Sequence, residues 1–333
     1  MRKKGITGEQ FNWIFVMVAG AILLGFLVLF AFKYVEIAEA RESMHVARVF
    51  AQSLRVLEGS EQVGEFYSID GDVVGSGFRL EKPAKLSYGC LEGKGWVVIN
   101  DFREGAQRLR HEVVFMPKDV RARYFDFGVV PWYYPYHAVN FILASPVSRR
   151  FYVVYREEDD LVKRMKRNLG DAFNVKFFQG RIGEVSGTDV KVLFIDVNPG
   201  GEIDRLRSKG YDVVYVDRQR EKVYFGREEG SELFGDACVY AALFADDKDV
   251  YDCNMRIAFE RVGKVGKVYA KKAEYLRGEG CNYAGLRVRL LRYVETAEKY
   301  AKGEVDAGSV RKGMESLKSS AEALRGRGCE DVF

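Results

Sequence analysis

The residue types and spacings best suited to chemistry lie between 192 and 217. The run VLFIDVNPGGEIDRL (192–206) has the form of a strand, a glycine-containing loop and a helix start. Free backbone N–H groups and the helix dipole hold anions at such a place. Asp196 and Asp217 close neighbouring apolar runs, where acidic residues of α/β enzymes hold magnesium. Asp196, Gly200, Gly201 and Asp217 are therefore the candidate anion or metal site. The run matches neither G-x-G-x-x-G nor the P-loop, and no lysine follows its glycines. Pro199-Gly200-Gly201 also reads as an ordinary turn, and both aspartates as caps.

Other chemistries lack parts. There is no G-x-S-x-G, and the three histidines, His45, His111 and His137, all precede residue 151. Glu157-Glu158-Asp159-Asp160 and Asp246-Asp247 read as acidic helix starts that favour the dipole. Trp132, Tyr133, Tyr134 and Tyr136, in the run Pro131-Trp132-Tyr133-Tyr134-Pro135-Tyr136, form a candidate stacking patch for a sugar or peptide, with packing as the alternative. No catalytic set assembles, so a non-enzymatic protein without cofactor or bound metal is expected.

The five cysteines include no C-x-x-C pair. A helix of about 25 residues, roughly 37 Å long, separates Cys253 from Cys281, too far for one bridge. In an up-down-up helix arrangement Cys281 meets Cys329, and Cys238 reaches Cys253. The expected bridges are Cys281–Cys329 and Cys238–Cys253, with Cys90 free, against the alternative of five buried thiols.

Several kinds of element must position these residues. Residues 63–150 read as β-rich, with strands at 73–80, 95–100, 111–116 and 138–143. Residues 151–245 alternate strands with short helices, which predicts a small α/β layer with a partly parallel sheet. From 247 to 333 the strand signal ends. Helical spacing covers roughly 250–278, 283–302 and 306–325, a hairpin plus a third helix. Residues 254–327 hold 17 Lys and Arg against 9 Asp and Glu, making this a basic bundle. The predicted class is mixed α+β and α/β behind an N-terminal transmembrane helix.

That helix is the clearest element. Residues 11–32 are 22 positions without a charge, enough to cross a hydrocarbon core of about 30 Å. A signal peptide has a shorter apolar region. Arg2, Lys3 and Lys4 in the leader (1–10) outnumber the basic residues just beyond the span (11–33), which predicts a cytoplasmic N-terminus and an extracytoplasmic body at the cell membrane. Helical pattern continues through 34–58. Ala40, Met44, Ala47, Ala51, Leu54 and Leu57 form a seam for the chain's own body or, through residues 11–57, for self-association.

The 333 residues are 47% hydrophobic and 30% charged, which excludes disorder and indicates about two domains. A net charge of +4 makes nucleic acid an unlikely partner, leaving the lipid bilayer and an unknown protein. Asn and Gln total only 14 while Lys, Arg and Glu abound, a thermophile pattern.

The stretch Gln10-Phe11-Asn12-Trp13-Ile14-Phe15 resembles the start of uncharacterised single-pass membrane proteins of archaea. Leu243-Phe244-Ala245-Asp246-Asp247 and Tyr251-Asp252-Cys253-Asn254-Met255 are similar to the same group. The resemblance implies an anchored archaeal protein and supplies no activity. Arg2-Lys3-Lys4-Gly5 before an apolar helix resembles an archaeal type IV prepilin leader cut after Gly5, although Glu9 is fourth after the cut, where pilins place glutamate fifth. The expectation is an anchored extracytoplasmic scaffold or interaction protein. A pilin-like filament subunit is the alternative, and an envelope enzyme the third reading.

Overall fold

A computed structural model of the chain describes residues 8–58, 68–69, 72–73, 76–170, 172–226, 229–276 and 281–333. Residues 1–7, with the basic leader's charges and Gly5, lie outside the described residues. The class is mixed: a long apolar N-terminal helix, two six-stranded sheets and C-terminal helices.

Helix α1 spans Gly8–Glu58 without a break. Every side chain from Trp13 to Glu39 is exposed, and the apolar stretch is long enough to cross a membrane. Burial begins at Ser43 and takes in Ala47, Phe50, Ala51 and Leu54. The amphipathic seam is thus covered by the chain's own body. Phe50 meets Phe78, Phe125 and Phe127 at ring-centroid distances of 5.2, 5.7 and 5.5 Å.

A short ladder, β1 (Ser68–Ile69) with β2 (Asp72–Val73), precedes the first sheet. That sheet comprises β3 (Ser76–Leu91), β4 (Lys94–Ile99), β5 (Gln107–Leu109), β6 (Val113–Phe115), β7 (Asp119–Tyr133) and β8 (His137–Pro146), in the order β5-β4-β3-β7-β8-β6. Glu92 and Gly93, with φ of 50° and 72°, turn β3 into β4 in two residues. Left-handed backbone at both positions is the twist-matched geometry for a two-residue hairpin. Strand β7, where no strand was expected, sets Asp126 between buried Phe125 and Phe127. Its Pro131 lies beyond Phe127, the last residue paired to β3, so its missing N–H breaks no ladder there.

The second sheet is built from β9 (Arg150–Tyr155), α2 (Asp160–Leu169), β10 (Val175–Gln179), β11 (Val190–Ile195), α3 (Glu202–Arg207), β12 (Asp212–Asp217), β13 (Lys222–Phe225) and β14 (Ser231–Glu232). Its order is β10-β9-β11-β12-β13-β14. The first four strands are parallel, β13 is antiparallel to β12, and β14 is antiparallel to β13. Strands β9 and β11 are apolar on both faces because both faces are covered. Leu161, Val162 and Met165 of α2 join one face, and Leu206 of α3 the other.

Helix α4 (Ala237–Phe244) is buried at every position, touching β7 and β8 of one sheet and β11 and β12 of the other. An all-round apolar helix is what such a position requires. Helices α5 (Lys248–Tyr275), α6 (Tyr283–Ala301) and α7 (Ala307–Arg325) follow. A Cβ at Gly266 of α5 would lie 2.3 Å from the Tyr136 hydroxyl and 2.4 Å from Val294 of α6, so only glycine permits this approach. One core runs from α1 through both sheets into these helices, so the expected boundaries near 150 and 245 do not divide it.

Candidate functional site

The carboxyl ends of β9, β11 and β12 point one way. The chain leaves β9 through α2 to β10 on one side, and leaves β11 through α3 to β12 on the other. Winding therefore reverses between β9 and β11, the place where open α/β sheets bind ligands. A cleft of about 380 Å³ lies there, lined by Arg156, Glu157, Asp159, Asp196, Arg218 and Gln219. A neighbouring hollow of about 440 Å³ shares Arg156, Asp196 and Gln219 and reaches Tyr215 and Asp217.

Arg218 dominates this cleft. Its backbone N–H and Nε donate to Asp196 at 2.9 and 2.7 Å, and its other arm pairs with Asp159 at 2.6 Å. Asp159 also caps α2 by accepting from the Val162 N–H at 3.0 Å. Burial pushes the Asp159 carboxyl up, but the Val162 N–H and the Arg218 guanidinium outweigh it and hold it below the usual range. Burial likewise lowers Arg218, and its two carboxylates more than restore it. Asp196 takes a left-handed φ of 54°, which turns its carboxylate toward Arg218. One guanidinium thus ties together the ends of three strands.

Of the four strand-end candidates, the structure brings Asp196 and Asp217 to the hollow and leaves Gly200 and Gly201 outside its lining. The glycine loop satisfies itself. Asn198 accepts from the Gly200 N–H at 3.0 Å, and the Glu202 N–H donates to the Pro199 carbonyl at 2.9 Å. Helix α3 has only six residues, so it offers little of the dipole that an anion would need. Among the described residues, no three His, Cys, Asp or Glu side chains converge as a metal set.

The aromatic candidates are structural. Trp132, Tyr134 and Tyr136 are buried, so the expected stacking patch is corrected to a packing cluster; only Tyr133 faces outward. Trp132 Nε1 donates to the Phe234 carbonyl at 2.8 Å, and the Tyr136 hydroxyl to the Val262 carbonyl at 2.7 Å. Tyr293 of α6 donates to the Tyr134 carbonyl at 2.6 Å. These bonds fix the β7–β8 hairpin to α5, to α6 and to the loop before α4.

The cysteine pairing also needs a correction. Cys281 is bonded to Cys329, but Cys253 is bonded to Cys90, not to Cys238. Helix α5 lies across the first sheet, which sets Cys253 with its Cα 5.8 Å from that of Cys90, 163 residues earlier. Cys238 is instead sealed in α4, its thiol 3.4 Å from the Phe234 carbonyl, and burial pushes its pKa up to about 12.

Sequence reasoning missed three buried polar groups. Asn254 accepts from the Tyr88 hydroxyl at 2.9 Å and the Val114 N–H at 3.0 Å, and donates to Val250 at 2.9 Å. Arg149 pairs with Asp189 at 3.1 Å, Asp212 at 2.5 Å and Asp246 at 3.0 Å. Lys191, fully buried in β11, donates to the Ala245 carbonyl and lies 5.7 Å over the Phe225 ring. A lysine inside the apolar run VKVLFI was the available signal.

The docked end of α1 carries its own polar lock. Arg55 pairs with buried Glu112 at 3.0 Å, Arg261 of α5 with Glu58 at 2.6 Å, and Asn140 donates to the Glu58 carbonyl at 3.1 Å. Burial raises the Glu58 carboxyl, with Arg261 opposing.

Compared with known proteins, the chain matches no family model, no curated protein and no solved structure.

Proposed function

We propose that the chain is a single-pass membrane protein holding an extracytoplasmic scaffold or interaction body, without catalysis of its own. The observation that carries this reading is α1 itself. It is bare and apolar over one half, and over the other it is locked into the body by Phe50, Leu54 and two ion pairs. An anchor built into the core holds the body at a set height and orientation over the bilayer, as a scaffold requires. The strand-end cleft supports the non-catalytic part, since its two aspartates, Asp159 and Asp196, are both tied up by Arg218.

Orientation follows from the leader's basic charges, which favour a cytoplasmic N-terminus. Two disulfides fit an oxidising compartment. Their presence also agrees with the thermophile-like composition, and the resemblance to uncharacterised archaeal anchored proteins points the same way. A pilin-like subunit is the second reading. It is favoured by the unbroken course of α1 from exposed apolar half to docked half.

The test is intact mass with N-terminal peptide mapping, on protein taken from native membranes without reductant. An N-terminus extending through Gly5, with two bridges, is the expected result. Loss of residues 1–5 overturns the permanent anchor in favour of filament assembly. Five free thiols overturn the extracytoplasmic placement.

A further inference from the structure

The exposed stem of α1 and the adjoining edge of the first sheet enclose a cleft of about 1210 Å³. One wall runs from Lys33 to Val49 on α1. The other combines the bulged stretch of β3 from Phe78 to Ala84 with the turn from Ile99 to Glu104. Ile37, Met44, Val49, Phe78, Leu80 and Phe102 make its surface apolar. Its edge is charged, with six carboxylates against four lysines and arginines. Lys33 pairs with Glu36 at 2.7 Å and Lys82 with Glu42 at 4.0 Å, and Lys85 from outside holds Asp101 at 2.7 Å, which leaves the edge with a net negative charge of one.

The position of this cleft identifies its occupant. Its wall begins one residue after Phe32, where the apolar run ends. The headgroup layer is about 5–8 Å deep on each side of the hydrocarbon, so the first four or five residues after the span lie within it. Helix tilt, commonly about 20°, lowers the rest of the cleft by less than a tenth of its height, so the end lined by Lys33, Glu36 and Ile37 is its mouth. Bare apolar side chains continue past the span: Tyr34, Val35 and Ile37 are 67%, 53% and 50% exposed. The apolar surface of the span therefore runs into the cleft, and bilayer lipid is the amphiphile present at its mouth. Covering an apolar wall is favourable in proportion to its area, while a negative edge repels an anionic headgroup.

We propose that this cleft binds a hydrocarbon chain of a membrane lipid whose headgroup is zwitterionic or uncharged, drawn from the leaflet facing the body. This rests on the anchored reading above but not on which side of the membrane the body occupies.

The test uses the full chain reconstituted in vesicles of equal phosphatidylcholine and phosphatidylglycerol. Association is checked by carbonate washing, and a mild-detergent extract is then weighed by native mass spectrometry. One retained phosphatidylcholine per chain is expected, at least roughly fivefold over phosphatidylglycerol. Val49→Trp fills the cleft and should lower the retained lipid by about tenfold. Ile37→Arg, at an exposed position, should do the same without touching the core. Val288→Trp, on the exposed face of α6, should retain the lipid. No retained lipid, equal retention in both cleft variants, or a preference for phosphatidylglycerol overturns the proposal. A chain that stays in the membrane without retained lipid overturns the cleft alone. A chain washed off by carbonate overturns the anchor as well.

Discussion

Asn254 does the work of two caps at once, since its single side-chain oxygen receives both the Tyr88 hydroxyl and the Val114 N–H inside the core. Asn254→Leu leaves two buried donors without a partner. At about 1–3 kcal/mol for each unsatisfied group, denaturant unfolding should show a loss of roughly 2–5 kcal/mol. A loss below about 1 kcal/mol would mean that water reaches this site. Lys191 poses a different problem. Burial, with Arg149 beside it, drives its ammonium pKa from 10.5 down to about 8. Between those two values the unfolded chain binds more protons than the folded one, so this residue's contribution to stability rises with pH. Below pH 8 both states are protonated, and the full penalty of burying the charge remains. Lys191→Met should therefore gain stability over the natural protein most at pH 7. That gain should shrink by on the order of 2–3 kcal/mol by pH 10.5, when the two proteins are unfolded in parallel. A gain independent of pH would show that the lysine titrates alike in the folded and unfolded chain, so that burial does not lower it. Neither role was legible in the sequence. A polar residue inside an apolar run announces that it needs a partner, but Val114 and Ala245 become partners only when distant segments pack.

Elements were far easier to read than their meetings. Uninterrupted apolar length disclosed the bare half of α1, and 3.6-residue spacing disclosed α5, α6 and α7, because both signals are local. Strand β7 escaped because Pro131 marks an apparent break, and the aromatic run after it was read separately. The same limit explains the cysteines. Cys281 and Cys329 meet through consecutive helices, whereas Cys90 and Cys253 meet only because α5 crosses a sheet formed far earlier in the chain. The two bridges should differ in worth. By loop-closure entropy, the sequence separations of 163 and 48 residues correspond to about 5 and 4 kcal/mol. Replacing Cys90 and Cys253 together by alanine should thus destabilise more than replacing Cys281 and Cys329, by about 1 kcal/mol in denaturant unfolding. The reverse order would place the larger constraint on the C-terminal tail. The strand-end candidates mark the border of what local reading achieves. Asp196 and Asp217 are legible from their place after apolar runs, but the ion pair that holds Asp196 is not, because Arg218 carries no distinguishing mark in sequence.

For the whole molecule the decisive relation is between the bare and the docked parts of one helix. Two truncations separate them. Among the described side chains, removing residues 1–42 takes away only ones outside the core, since burial begins at Ser43. The remaining body should keep both disulfides and unfold within about 0.5 kcal/mol of the full chain measured in detergent, the usual range for surface changes. Removing residues 1–58 strips Ala47, Phe50, Ala51 and Leu54 from the core and leaves Glu112 and Arg261 without their α1 partners. Truncating Phe50 alone is worth about 3–5 kcal/mol. Because folded domains hold only about 5–15 kcal/mol in total, the longer deletion should not fold to a protected core. Amide hydrogen exchange across β4, β5 and β8, which pack along α1, reads the difference directly. Protection there that survives the longer deletion would show that the body stands without its anchor and that the helix merely lies against it. Loss confined to the longer deletion would make the 16 residues 43–58 at once part of the core and the rigid link to the apolar half, so that on the anchored reading the body's height over the bilayer is set by its own folding.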